Sequence, residues 1–163
     1  MEETPEGAWR SFLAVAICLP AFLALRLFGW AELGQPEGGL GRALAAELIG
    51  YVVAWTAFSL ATLAPALAWG RAAEWPRFLC AWNWANVVQY LVLLALMVPV
   101  AIGVGGVLAQ GLTLAGIGYA VWLEWFVTRH ALGVSGMRAS LVVLLDLVIG
   151  LFVHGVVQRL GGG

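Results

Sequence analysis

The sequence predicts an all-α fold, a polytopic transmembrane helix bundle with five spans, forming one domain over residues 1–163. Three observations carry that expectation. The chain is 63% hydrophobic and only 10% charged, whereas a water-soluble domain of this size is about a quarter charged, so there are too few charges to cover a wet surface. Its mean hydropathy is +0.95, and its apolar runs are long enough to cross a bilayer. The alternation of period two that a membrane β-barrel requires is absent.

A helix rises 1.5 Å per residue, so a hydrocarbon core of about 30 Å takes roughly 20 residues. The first span is expected at 9–30, an apolar run between Arg10 and Arg26 that continues through Leu27-Phe28-Gly29-Trp30, with Arg26 snorkelling to the interface. The following stretch, Ala31 to Gly39, is rich in turn formers. A second span is expected at 43–69, uncharged after Glu47, and Arg71, Glu74, Pro76 and Arg77 then make a short polar loop.

From Phe78 to Leu123 there are 46 residues without a formal charge. A single helix of that length would reach about 69 Å, more than twice the core, so the chain has to fold back. The break is legible at Gly103-Val104-Gly105-Gly106, just after Pro99, which divides the run into spans at 78–102 and 107–130. The turn Leu132-Gly133-Val134-Ser135-Gly136 leads to a last span at 138–158, and Gly161-Gly162-Gly163 reads as a flexible end. Pro20, Pro65 and Pro99 fall inside spans, where each removes a helix hydrogen bond and favours a kink.

Five spans put Arg10, Arg71, Arg77, Arg129 and Arg138 on one side and Arg26, Arg42 and Arg159 on the other. Cytoplasmic loops carry the excess of cations, so the N-terminus is expected in the cytoplasm of a bacterium, with the protein in its inner membrane. Every cation is Arg, as a GC-rich bacterial genome would favour, and the acidic start Met1-Glu2-Glu3-Thr4-Pro5-Glu6 lacks the basic segment of a signal peptide. A net charge of −1 supplies no basic field for nucleic acid. Cys18 and Cys80 both lie in apolar runs and read as small buried hydrophobes. Two separated histidines make no metal motif, no nucleophile motif is present, and neither a cofactor nor an enzymatic activity is expected.

Polar residues inside spans are then the main chemical signal, because an ionisable group at the bilayer centre costs about 2.5–3.5 kcal/mol on insertion scales. Asn83, Asn86 and Tyr90 share one face of span three, with Gln89 further round. Span four carries Gln110, Thr113, Glu124 and Thr128 along one stripe, and span five carries Asp146. Measured from the flanking arginines, Asn86, Asp146 and Glu124 lie roughly 13, 12 and 8 Å from the same side. The candidate site is therefore Asn83, Asn86, Gln89, Glu124 and Asp146, in the cytoplasmic half. The amides of Asn83 and Asn86 are expected to satisfy a carboxylate there, and Arg129 or Arg138 to reach inward.

Three readings fit that cluster: a proton- or ion-handling site, the floor of a cytoplasm-facing cavity, or hydrogen-bonded glue between helices. Glu47 and His154, near the opposite face, form a second candidate pair or snorkel separately. Gly111, Ala115 and Gly118 suggest a close helix contact on span four.

The five spans, the short loops and the segment from Trp125 to Gly136, followed by an apolar span bearing Asp146, resemble bacterial members of the Yip1-type five-helix membrane family. The Trp82-Asn83-Trp84 start of span three is similar to alphaproteobacterial members. The resemblance implies a membrane-organising scaffold without enzymatic residues. The leading expectation is accordingly a non-enzymatic scaffold or subunit of a membrane complex, its partners being lipid, a second copy or another membrane protein. An oligomeric transporter or channel using the polar cluster is the alternative.

Overall fold

In the computed structural model, residues 5–34 and 36–161 are described. The acidic start at Met1–Thr4 and the last two residues of the glycine end lie outside them. The described residues form seven α-helices and one 3-10 turn: α1 (Pro5–Ser11), α2 (Leu13–Leu33), α3 (Leu40–Ala61), α4 (Leu63–Ala68), the turn Ala72–Glu74, α5 (Trp75–Ala101), α6 (Gly106–Ala131) and α7 (Gly136–Gly161). Five helical stretches, some with a local break, are long and apolar enough to cross a bilayer, namely Glu6–Glu32, Leu40–Ala68, Ala72–Ala101, Gly106–Ala131 and Gly136–Gly161. By length and composition this is a multi-pass membrane protein built as an all-α bundle.

The interruptions have local causes. Thr62 separates α3 from α4. Three residues later Pro65 has no N–H for the carbonyl of Ala61, and its ring crowds that carbonyl, so the α-helical ladder cannot run through. Pro20 and Pro99 are absorbed inside α2 and α5. The two return turns repeat one device. Gly103 and Gly133 take φ of 102° and 62°, a conformation costly for any residue with a Cβ. Each then lets the next valine reach back to the helix it has left, Val104 N–H to Pro99 O at 3.0 Å and Val134 N–H to Arg129 O at 3.2 Å.

Helix α7 packs between α3 and α6, while α5 packs on α1, α2 and α6. Side chains close the ring from α2 to α3, where Tyr51 Oη donates to Val15 O at 2.7 Å. The core is aromatic. Tyr51, Trp55 and Phe58 follow one another along a buried face of α3. They meet Phe22 of α2 at 4.6 Å between ring centroids and Trp82 of α5 at 5.4 and 4.4 Å. Outward-facing Ile102, Val107, Leu114, Leu151 and Phe152 are exposed, as expected where lipid is the surrounding solvent.

The close helix contact is not where the glycine spacing put it. Gly111 and Gly118 have nothing within 4 Å of an added Cβ, and Ala115 between them is exposed. The first half of α6 is mostly exposed, and among the described residues nothing packs within 4 Å of a Cβ added at Gly111 or Gly118. The tight seam is α3 against α7. An added Cβ on Gly50 would collide with Val157, and Gly161 comes close to Ala43. On α6 the buried glycine is Gly116, against Leu93 and Leu96 of α5.

Candidate functional site

Two polar networks occupy the half of the bundle that holds the turns at 69–74 and 132–135. The first is centred on Asn83, which is 0% exposed. The Trp55 indole N–H donates to Asn83 Oδ1 at 2.7 Å, and Asn83 Nδ2 donates to Ser11 Oγ at 2.7 Å. Ser11 in turn donates to Ala8 O at 2.6 Å. One side chain thus ties α1, α3 and α5 together. An indole N–H at mid-membrane has no water to bond, which is why Trp55 needs this acceptor.

The second network contains the acids. Glu124 of α6 is 8% exposed, and its carboxyl lies within hydrogen-bonding reach of the Asp146 carboxyl on α7. Among the described residues Glu124 Oε1 has no hydrogen-bond partner, and neither does Thr128 Oγ1 one turn further along α6, although Thr128 is 0% exposed. The amides expected to satisfy these acids are engaged elsewhere. Asn83 is turned to Trp55 and Ser11, and Asn86 Nδ2 donates to Trp82 O of its own helix at 2.9 Å. The arginines expected to reach inward also turn away. Arg129 lies 5.2 Å from the centroid of the Trp125 ring and Arg138 5.5 Å from that of Trp69, cation–π seats that keep their charge at the interface.

Asp146 is half-buried because one side of it faces a cavity of about 250 Å³. Asn86, Gln89 and Tyr90 of α5 line it alongside Asp146. Arg26 of α2, Glu47 of α3 and His154 of α7 line it as well. The bundle therefore joins in one cavity the two polar groups that looked separate in the sequence. Asn83 does not belong to it, and of the span-four stripe only Glu124 and Thr128 are buried, while Gln110 and Thr113 are exposed.

The cavity has a direction. Its lining runs from Trp82 to Tyr90 along α5, from Trp55 back to Glu47 along α3 and from Asp146 to Val157 along α7. Each of these paths leads away from the turns at 69–74 and 132–135. The cavity is thus oriented toward the face of the loop at 34–39, and not toward the face from which Asp146 and Glu124 were expected to be reached. Along α7 alone it spans about 17 Å, over half of a hydrocarbon core. Glu47 and Val157 also line a second cavity of about 210 Å³, bordered by Gly34, Pro36 and Glu37 of that loop. At the other end Phe58, Phe78 and Leu132 are each 0% exposed and close the bundle.

Arg26 does not snorkel outward. Its Nε lies 3.0 Å from Glu47 Oε2, and its guanidinium sits 5.4 Å from the centroid of the Phe22 ring. Glu47 is therefore the partner of Arg26 and not of His154, which is exposed. The sequence signal for this pair was available: Arg26 sits four residues before the end of its apolar run and Glu47 four residues inside the next. Two helices joined by a short loop place both at similar depth. Among the described residues no group of three or more metal-ligating side chains is gathered together. Comparison with protein-family models, with curated proteins and with solved structures gives no match.

Proposed function

We propose that this chain is a transport protein or channel of a bacterial inner membrane, and that its working part is the cavity between α2, α3, α5 and α7. The observation that supports this reading is the concentration of Arg26, Glu47, Asn86, Gln89, Asp146 and His154 on one intramembrane cavity. Ionisable groups inside a bilayer are costly and persist where they face one another or a polar space. Helix glue alone would need polar groups in pairs, not around an open volume. On the proposed orientation, with the N-terminus in the cytoplasm as the excess of arginines on that side favours, the cavity is oriented toward the outer face.

A bundle of five helices is small for alternating access, so the active form is proposed to be an oligomer. The exposed face of α6 bearing Gly111, Ala115 and Gly118 supports such a contact, since nothing among the described residues packs within 4 Å of a Cβ added at either glycine. The same face favours the second reading, a scaffold or subunit resembling the Yip1-type proteins. Ion and proton flux into liposomes containing the purified protein separates the two. Transport predicts flux that falls at least tenfold in Asp146→Asn. Equal flux in the variant, or none in the wild type, removes the transport reading and leaves the scaffold.

A further inference from the structure

We propose that Glu124 and Asp146 form a buried carboxyl pair that binds one proton between them, so that the ligand taken at the deep end of the cavity is the proton. This rests on the transport reading only for its use; the pair stands on the burial of Glu124, its unpartnered Oε1 and the place of Asp146 on the cavity wall. Glu124 Oε1 is buried and receives a hydrogen bond from no N–H or O–H of the described protein. Its polar neighbour is the carboxyl of Asp146. Two ionised carboxylates have only acceptors to offer one another, whereas a carboxylic acid and a carboxylate make a short O–H···O bond. A carboxyl proton is the hydrogen that such a pair can itself hold.

The surroundings fit this assignment from every side. On α6, Thr128 places a fully buried hydroxyl without a partner one turn from Glu124. On α5, Asn86, Gln89 and Tyr90 face the cavity beside Asp146. The charges of Arg26 on α2 and Glu47 on α3 are matched to each other, and His154 of α7 lies two turns from Asp146 toward the exposed end. Asp146 is the member that faces the cavity, so exchange runs through it. Uptake forms one O–H bond on an Asp146 carboxylate oxygen, and the hydrogen is then shared with Glu124. Release breaks that bond and returns H⁺ to the cavity, leaving the electron pair on oxygen, so no oxidant or reductant is involved.

Infrared spectroscopy of the full-length protein in detergent tests the pair directly, because a protonated carboxyl has a C=O band that shifts in D₂O. At neutral pH the wild type should show such a band with the intensity of one acid per chain. Glu124→Gln and Asp146→Asn should each lose it entirely, since an amide supplies the hydrogen that the proton supplied. Glu47→Gln should keep it, because Arg26 holds that carboxylate. No band in the wild type, or a band undiminished in both amide variants, overturns the proposal. So does a wild-type band abolished by sodium chloride, which would make the pair a metal-cation site. The wild-type spectrum decides even if a variant fails to fold. A band that behaves as expected in a protein without liposome flux supports the proton pair and removes only the transport reading.

Discussion

Thr62, between α3 and α4, and Thr128 of α6 are both 0% exposed and lie near the same end of the bundle. Thr62 Oγ1 accepts from the Trp75 indole at 3.2 Å and donates to Ser59 O at 2.9 Å. Thr128 Oγ1 has no partner among the described residues, and neither has the nearby Glu124 Oε1. The same contrast separates the two amide and acid networks. Around Asn83 both ends of the amide are matched by a donor and an acceptor of the chain. Around Glu124 a carboxyl meets another carboxyl, with a cavity beyond it. A network that only holds helices together gains from being complete, since each unmet group inside a bilayer is costly. One left incomplete beside a polar space has its missing hydrogen supplied from outside the chain.

Variants in the two networks should therefore respond in opposite ways when the purified bundle is unfolded in detergent. The largest effect is expected for Asn83→Leu. It strands the Trp55 N–H, takes the donor from Ser11 Oγ and should cost about 2–4 kcal/mol, read as a lower midpoint of unfolding. A midpoint equal to the wild type would mean that these helices are held by their aromatic contacts alone. Thr62→Val should cost about 1–2 kcal/mol, because the Trp75 N–H loses its acceptor. Retention of the wild-type midpoint there would dissolve the contrast from its complete side.

Smaller effects belong to the acid pair. Glu124→Gln should stay within about 1 kcal/mol of the wild type, since its amide can donate to the Asp146 carboxylate. A loss several times larger would show that the glutamate needs its own charge, as a structural ion pair would. The smallest change is expected for Thr128→Val. A methyl of similar size replaces a hydroxyl without a partner, so stability should be unchanged or gain up to about 1 kcal/mol. A loss equal to that of Thr62→Val, in the same assay, would place Thr128 among the satisfied hydroxyls.

Much of the fold is written locally. The 46-residue uncharged run from Phe78 has to turn, and it turns where glycine permits positive φ, at Gly103. Depth was partly legible, because helical rise counted from the flanking arginines puts Asp146 and Glu124 in the same half of the bilayer, about 4 Å apart in depth, and the two carboxyls meet. Azimuth was not. Asn83 and Asn86 share an arc of α5, yet α1 covers one and the cavity borders the other. Likewise the glycines of α6 have the spacing of a close contact, while the seam forms at Gly50 and Gly161.

What the chain determines by itself is where lipid must surround it, how many times it crosses and how far along each helix its polar groups lie, because hydrocarbon thickness and helical rise are one-dimensional constraints. Which polar groups face one another was decided by tertiary packing. In a bilayer the outside of a helix is as apolar as its interior contacts, so hydrophobic pattern gives no rotation, and only the fit of Trp55 to Asn83, Gly50 to Val157 and Arg26 to Glu47 sets it.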